Sequence, residues 1–194
     1  MSAFDPKRTA RHFRGYGTID TIRHREPLGA AVNVIIRATL IGIGATAFID
    51  LWALALNRAF GISLPSYAMV GRWLGHMRDG RFVHASITAA PPVRGEAAIG
   101  WTAHYVIGII FAGLLLALCG EAWVRSPSLA PALVFGLATV AAPFVVMQPG
   151  MGLGLAASKT PKPYAARLRS LGTHGVFGVG LYGTAKILAW FAPQ

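Results

Sequence analysis

An acid and a histidine stand inside apolar runs where neither residue type is common. Asp50 lies six residues before the end of Val32 to Leu56, VNVIIRATLIGIGATAFIDLWALAL, and His104 lies six residues into the next apolar run, which opens at Ala98. Ionisable groups in membrane-spanning helices are costly unless they face protein or a wet cavity, and they mark proton and ion paths. Asp50 and His104, with Glu96 just ahead of the second run, are therefore candidates for a proton or cation relay. The other histidines widen the choice. Two or three of His76, His84, His104 and His174, with Asp50 or Glu96, have the chemistry to bind a divalent metal, since imidazole and carboxylate are suitable ligands. His104 and His174 on separate helices could ligate a haem, with Met147 a poorer axial ligand. The sequence requires neither cofactor, because it contains no HExxH and no tight histidine spacing. The competing reading is structural, with Asp50 paired to His104 or to a loop arginine simply to hold helices together.

Other motifs are weaker. Gln148-Pro149-Gly150-Met151-Gly152-Leu153-Gly154 is glycine-rich, but Lys159 follows without P-loop spacing and the dinucleotide pattern is absent. A flexible or re-entrant turn is the better reading. Lys159 and Lys162, beside backbone amides, would suit a lipid phosphate or another anion.

Four apolar runs must position these groups. A bilayer core takes about 20 apolar residues in a helix, and spans are expected over residues 32–56, 98–119, 129–147 and 174–191. Long loops, 57–97 and 148–173, separate the first pair and the last pair. Ser66 to Met77 places Tyr67, Val70, Leu74 and Met77 at helical spacing, as an interfacial helix would. Pro143 is expected to kink the third span. Small residues recur every four positions on three spans: Gly42, Thr46 and Asp50; Gly100, His104, Gly108 and Ala112; His174, Gly178 and Tyr182. Each set forms one stripe, which lets membrane helices approach closely. The expected fold is all-α, an antiparallel bundle of four transmembrane helices plus the interfacial helix. Asp50, His104, His174, Met147, Gln148 and Glu96 then fall near one membrane face, under the loop that carries His76 and His84.

Composition agrees with a membrane protein. Hydrophobic residues make up 54% of the chain and charged residues 13%, with a mean hydropathy of +0.52, too apolar for an ordinary soluble domain. The 18 Lys and Arg against 7 Asp and Glu give +11. In this context basic residues belong to loops retained in the cytoplasm and facing anionic headgroups, not to nucleic-acid binding. Cys119 is the only cysteine, which excludes an internal disulfide and a cysteine-rich zinc or iron–sulfur site within one chain. Residues 1–31 read as a basic tail without a fold of its own. Their opening, MSAFDPKRT, looks like an over-extended reading frame whose true start lies near Val32. The tail and first span also imitate a secretory signal with an Ala53-Leu54-Ala55 site, but the apolar run is long and Asp50 falls just before that site. With the tail set aside, the long loops hold nine basic residues against Arg37 and Arg125 on the other side. The long loops are therefore expected in the cytoplasm.

The segments WALAL, SYAMVGRWLGHM, APPVRGE, GWTAHYVIG, PFVVMQPGMGLGLAASKTP and HGVFGVGLY together resemble a bacterial domain-of-unknown-function family of short four-helix membrane proteins. The resemblance covers about Val34 to the C-terminus. It implies an inner-membrane location and four spans, and lends no activity. No motif fixes a reaction, which weighs against an enzyme. The expectation is a membrane protein that moves or senses a proton, cation or small solute through a polar pocket at the long-loop face. Two alternatives stand beside it: a metal- or haem-binding membrane protein, and a structural subunit of a larger membrane complex. Its expected partners are the lipid bilayer and further copies of itself or other subunits, with no nucleic acid.

Overall fold

The structure, a computed structural model, describes residues 26–191. Residues 1–25 of the expected tail lie outside that range, and its last six, 26–31, open the first helix. Side-chain packing is described for the larger of two compact units, which begins at Arg37. Among the described residues there are helices and no strands.

Helix α1 spans Glu26–Phe60. Ala38, Ile41, Ala45 and Ile49 are buried, at spacings that put them on one face, whereas Leu40, Ile43, Phe48 and Leu51 are exposed. The helix stops where Gly61 turns left-handed at φ 66° and its N–H bonds the Asn57 carbonyl at 2.9 Å. Helix α2, Tyr67–Met77, follows Pro65-Ser66 and buries Gly71, Trp73, Gly75 and His76. Helix α3, Glu96–Arg125, is interrupted at Gly120, whose backbone is not helical. Helix α4 is Leu129–Ala138. The kink expected at Pro143 takes the form of a widened turn. Proline has no N–H to give the helix ladder, and Pro143–Met147 forms a π-helical turn that continues into Gln148–Gly150. Helix α5, Pro163–Phe191, begins eleven residues before the expected boundary at His174, since proline is well suited to a first helical turn.

Three stretches are long and apolar enough to cross a membrane: Asn33–Phe60, Glu96–Arg125 and Leu129–Gly150. Helix α5 matches them in length. Its glycines, with His174, Thr184 and Lys186, dilute its Leu, Val and Phe, and it does not reach the same apolarity. The exposed side chains Ile110, Leu114, Leu118, Val134, Val145 and Val146 would be a liability in water and suit contact with lipid.

The helices approach one another through glycine. A methyl group added at Gly42 of α1 would come within 2.8 Å of the Gly108 carbonyl of α3, and one at Gly136 of α4 would come within 2.6 Å of the Gly178 backbone of α5. One at Gly100 of α3 would meet the carbonyl carbon of Tyr67, in α2, at 2.6 Å. Backbones this close leave no room for Cβ, which explains the small-residue stripes. The interior is correspondingly built from small and aliphatic side chains, with Phe111, Phe135 and Phe177 filling the gap between α3, α4 and α5.

Candidate functional site

The glycine crossings decide what meets inside. On α3, Gly100 touches α2 and Gly108 touches α1, and His104 lies one turn from each. On α1, Asp50 lies one turn beyond Thr46, the residue that faces Gly108; on α2, Tyr67 is itself the residue against Gly100. Three helices thus deliver Asp50, Tyr67 and His104 to one point. Tyr67 donates its O–H to Asp50 Oδ1 at 3.1 Å. His104 Nε2 lies 2.9 Å from the Tyr67 oxygen and 3.1 Å from Asp50 Oδ1. Tyr105 donates to the second carboxylate oxygen, Oδ2, at 3.0 Å. With the Tyr67 proton committed to Asp50, the network assigns the His104 proton to Nε2, where both neighbouring oxygens can accept it.

The cluster is partly shielded from solvent, the His104 side chain being 16% exposed and that of Asp50 21%. Tyr67 stacks on the His104 ring with centroids 4.2 Å apart and meets Trp101 at 4.4 Å on a tilted contact. Burial first, and then the charge of Asp50, hold the Tyr67 phenol above its ordinary ionisation range. Tyr67 therefore stays a hydrogen-bond donor.

Glu96 is not part of this cluster. Both its oxygens accept from Arg72, at 2.8 Å from Nε and 2.8 Å from a terminal nitrogen, and Oε2 also accepts the Val93 N–H at 2.9 Å. Arg72 reaches further, donating to the Ala90 carbonyl at 3.1 Å. This bidentate pair folds the loop before α3 back onto α2, and the hydrogen bond to Glu96 holds the Arg72 guanidinium even more firmly protonated than usual.

The histidines separate into three places. His76 and His84 stack at 5.0 Å with Nδ1 of the first 2.8 Å from Nε2 of the second. His84 is also bound to the Gly150 carbonyl, through its backbone N–H at 2.9 Å and its Nδ1 at 3.3 Å. Since a carbonyl only accepts, His84 Nδ1 carries a proton and its Nε2 receives one from His76. His174 bonds the Thr139 hydroxyl at 2.8 Å through Nδ1, and that hydroxyl donates onward to the Gly136 carbonyl at 2.5 Å. Nδ1 is thereby the donor, and Nε2 of His174 remains an acceptor. Among the described residues no three His, Cys, Asp or Glu side chains come together as a metal site. Lys159 packs its stem against Gly154 and gives its backbone N–H to the Leu153 carbonyl at 2.9 Å, inside the glycine-rich turn; Lys162 lies exposed just before α5.

A cavity of about 760 Å³ adjoins the Asp50 cluster. Tyr67 and His104 line it on one side, the Pro143–Met151 segment on another, and His174 and Phe177 of α5 on a third. Two of its lining residues each carry a polar atom sealed away from solvent. Thr46 Oγ1 and Gln148 Oε1 are buried and have no hydrogen-bond partner among the described residues.

Sequence reasoning finds Asp50 and His104 because charge stands out in an apolar run. It misses Tyr67 and Tyr105 as hydrogen-bonding partners and Trp101 as the ring packed on them, since aromatic residues at helical spacing read as packing. The one available signal is the adjacency of Tyr105 to His104 in Trp101-Thr102-Ala103-His104-Tyr105.

Helices apolar enough for a bilayer, closing on a part-buried carboxylate, phenol and imidazole, make this an all-α protein compatible with a membrane location. More particularly, the chain belongs to the family DUF2938, described as protein of unknown function, whose family model matches residues 39–188. No curated protein and no solved structure matches the chain.

Proposed function

We propose that this chain is a bacterial inner-membrane protein with four spans that moves a proton through the polar pocket at Asp50 and His104, beside a cavity with room for a small solute. The observation that carries this is the three-way contact of Asp50 Oδ1, Tyr67 oxygen and His104 Nε2, each within 3.1 Å of the other two. A proton can pass among the three with rotation of a hydroxyl alone, and Tyr105 steadies the carboxylate through its other oxygen. The cavity beside the same imidazole and phenol supports the reading by offering room for a solute. The fourth span is α5: Gly178 packs on Gly136, and Gly180 lies against Ala45 of α1, so α5 is seated between two apolar helices. The basic long loops put the Tyr67 end of the bundle toward the cytoplasm.

The test is proton movement into vesicles. Purified protein is reconstituted with a trapped pH-sensitive dye and a potassium diffusion potential is imposed. The wild type should shift the internal pH, and Asp50→Asn should abolish the shift while circular dichroism shows unchanged helicity. Equal responses from the two proteins, or no response from the wild type above empty vesicles, overturn the reading.

A further inference from the structure

The cavity beside the Asp50 cluster is apolar at one end and polar at the other. Phe111 and Phe177 close the inner end, their rings meeting edge-on with centroids 6.2 Å apart, and Ile49, Val70 and Leu74 add to the apolar wall. At the other end stand Ser66, Arg169, Ser170 and Thr173. Arg169, Thr173 and Phe177 recur every fourth residue on one stripe of α5. Along that stripe the wall passes from cation to hydroxyl to phenyl over roughly 12 Å of helix.

Among the described residues that line the cavity, Arg169 is the one lysine or arginine and there is no carboxylate. One terminal nitrogen of the Arg169 guanidinium donates to the Ser63 carbonyl, which fixes the cation beside Leu64, Pro65 and Ser66 at the mouth. A guanidinium has five N–H donors, so others are left for a ligand. Ser66 makes no side-chain bond to the start of α2, and its hydroxyl is available at the same place. Asp50 does not line the cavity, and both its oxygens are taken by Tyr67, His104 and Tyr105. Ile107 of α3 and Val146 of the π-helical turn line the cavity and are also 44% and 59% exposed. Both belong to stretches apolar enough to cross a membrane. The cavity therefore reaches the lipid-facing surface, where an alkyl chain can enter from the bilayer.

We infer that the cavity is a binding site for a single-chain fatty carboxylate, its carboxylate on Arg169 at the mouth and its alkyl chain lying inward toward Phe111 and Phe177. The guanidinium fork matches the two oxygens of a carboxylate. One guanidinium also balances the single charge of that group, whereas a phosphate monoester brings about −1.5 to −2. The volume, about 760 Å³, lies within the roughly 300 to 1,000 Å³ of small-molecule sites. One alkyl chain fits such a space, and a bilayer phospholipid with two chains exceeds it. The inference goes beyond the proton path and does not depend on it; it rests on the membrane location proposed above.

The experiment measures radiolabelled laurate on the full chain in phosphatidylcholine nanodiscs, with empty nanodiscs subtracted, at alkaline pH where the carboxylate is ionised. The competitors are dodecanol and dodecyltrimethylammonium, which keep the chain and change the charge, and acetate, which keeps the head and lacks the chain. Laurate should bind saturably, dodecanol should compete about tenfold less well than unlabelled laurate, the ammonium less well again, and acetate not at all. Arg169→Gln should weaken laurate about tenfold, as expected for a lost hydrogen bond to a charged group, and leave dodecanol unchanged. Ile107→Trp, at a half-exposed position that tolerates bulk, should weaken both by occupying the bilayer side of the cavity. Should either variant fail to fold, the ranking of the competitors on the wild type still decides. Dodecanol or the ammonium equal to laurate, acetate competing as well as laurate, or a folded Arg169→Gln that binds laurate undiminished overturns the inference. Loss of laurate binding when phosphatidylglycerol is added to the disc also overturns it, since the occupant would then be a bilayer phospholipid. Laurate binding without proton movement overturns the proton reading alone, and proton movement without laurate binding overturns this inference alone.

Discussion

Replacing Gly100 by alanine should disable the Asp50 cluster without altering a titratable group. The added Cβ would lie 2.6 Å from the carbonyl carbon of Tyr67, where ordinary contact begins at 3.4 Å. The helices must therefore separate by about 0.8 Å to clear that carbon, and by more to clear its oxygen. Both are backbone atoms, so no side-chain rotation relieves the overlap. A separation of about 1 Å takes the Tyr67 oxygen from 2.9 Å to nearly 4 Å from His104 Nε2, beyond hydrogen-bond reach. Overpacking of this kind costs about 1–3 kcal/mol, so the protein should fold and lose part of its stability. The assay pairs thermal unfolding in detergent with the vesicle proton measurement. Gly183→Ala is the control, because a Cβ there meets nothing within 4 Å and a mid-helix alanine gains about 0.5–1 kcal/mol over glycine. If Gly100→Ala unfolds earlier yet moves protons as the wild type does, the helix crossing does not position the relay.

Three further outcomes are expected. Thr46→Val should raise the unfolding midpoint of the ligand-free protein by the equivalent of about 1 kcal/mol, since an unpaired buried hydroxyl is removed; a lower midpoint would mean that Thr46 is paired after all. Tyr67 has its phenol raised above the ordinary value of 10.0, by burial first and then by the Asp50 charge. Its stabilising contribution is accordingly full below pH 10 and is lost only as pH climbs above that value toward the folded-state pKa. A titration at the tyrosinate absorbance band, taken as the difference between wild type and Tyr67→Phe, should show no ionisation of this residue at the pH where free tyrosine is half ionised. Metal analysis and a visible spectrum on protein purified in mild detergent should show no stoichiometric metal and no Soret band, because His76 and His84 bond each other and His104 Nε2 is held by Asp50 and Tyr67. A Soret band lost in His104→Ala or His174→Ala would restore the haem alternative.

What the sequence made legible follows a simple division. Charges and small residues in apolar runs have few tolerated reasons to be there, so Asp50, His104 and the glycine stripes could be read directly; the α1 and α3 stripes meet at Gly42, Thr46 and Gly108, whereas Gly100 meets α2 and Gly178 of the α5 stripe packs on α4. Pro143 announced a kink for the same reason, although nothing in its neighbours foretold a π-helical turn. Phenols escaped because Tyr67 fits an amphipathic pattern whichever way its hydroxyl points. His76 and His84 could not be paired in advance: they lie eight residues apart across a loop, and their contact depends on His84 being held by Gly150, 66 residues further along. Glu96 looked like a relay group only while Arg72, 24 residues away, was not known to embrace it. Helix α5 fell between categories, as the glycines that let it pack closely also lower the apolarity by which a span is counted.

Trp73 occupies an informative place among these contacts. Its indole N–H is held by the Phe82 carbonyl at 2.9 Å, its ring lies where a side chain at Gly150 would stand, and it borders the cavity. The loop, the turn carrying Gln148 and the cavity therefore share one chromophore. Its fluorescence, isolated as the difference from Trp73→Phe, makes the protein its own optical gauge: occupancy of the chamber and displacement of the turn would both register as a change in emission, with no label attached.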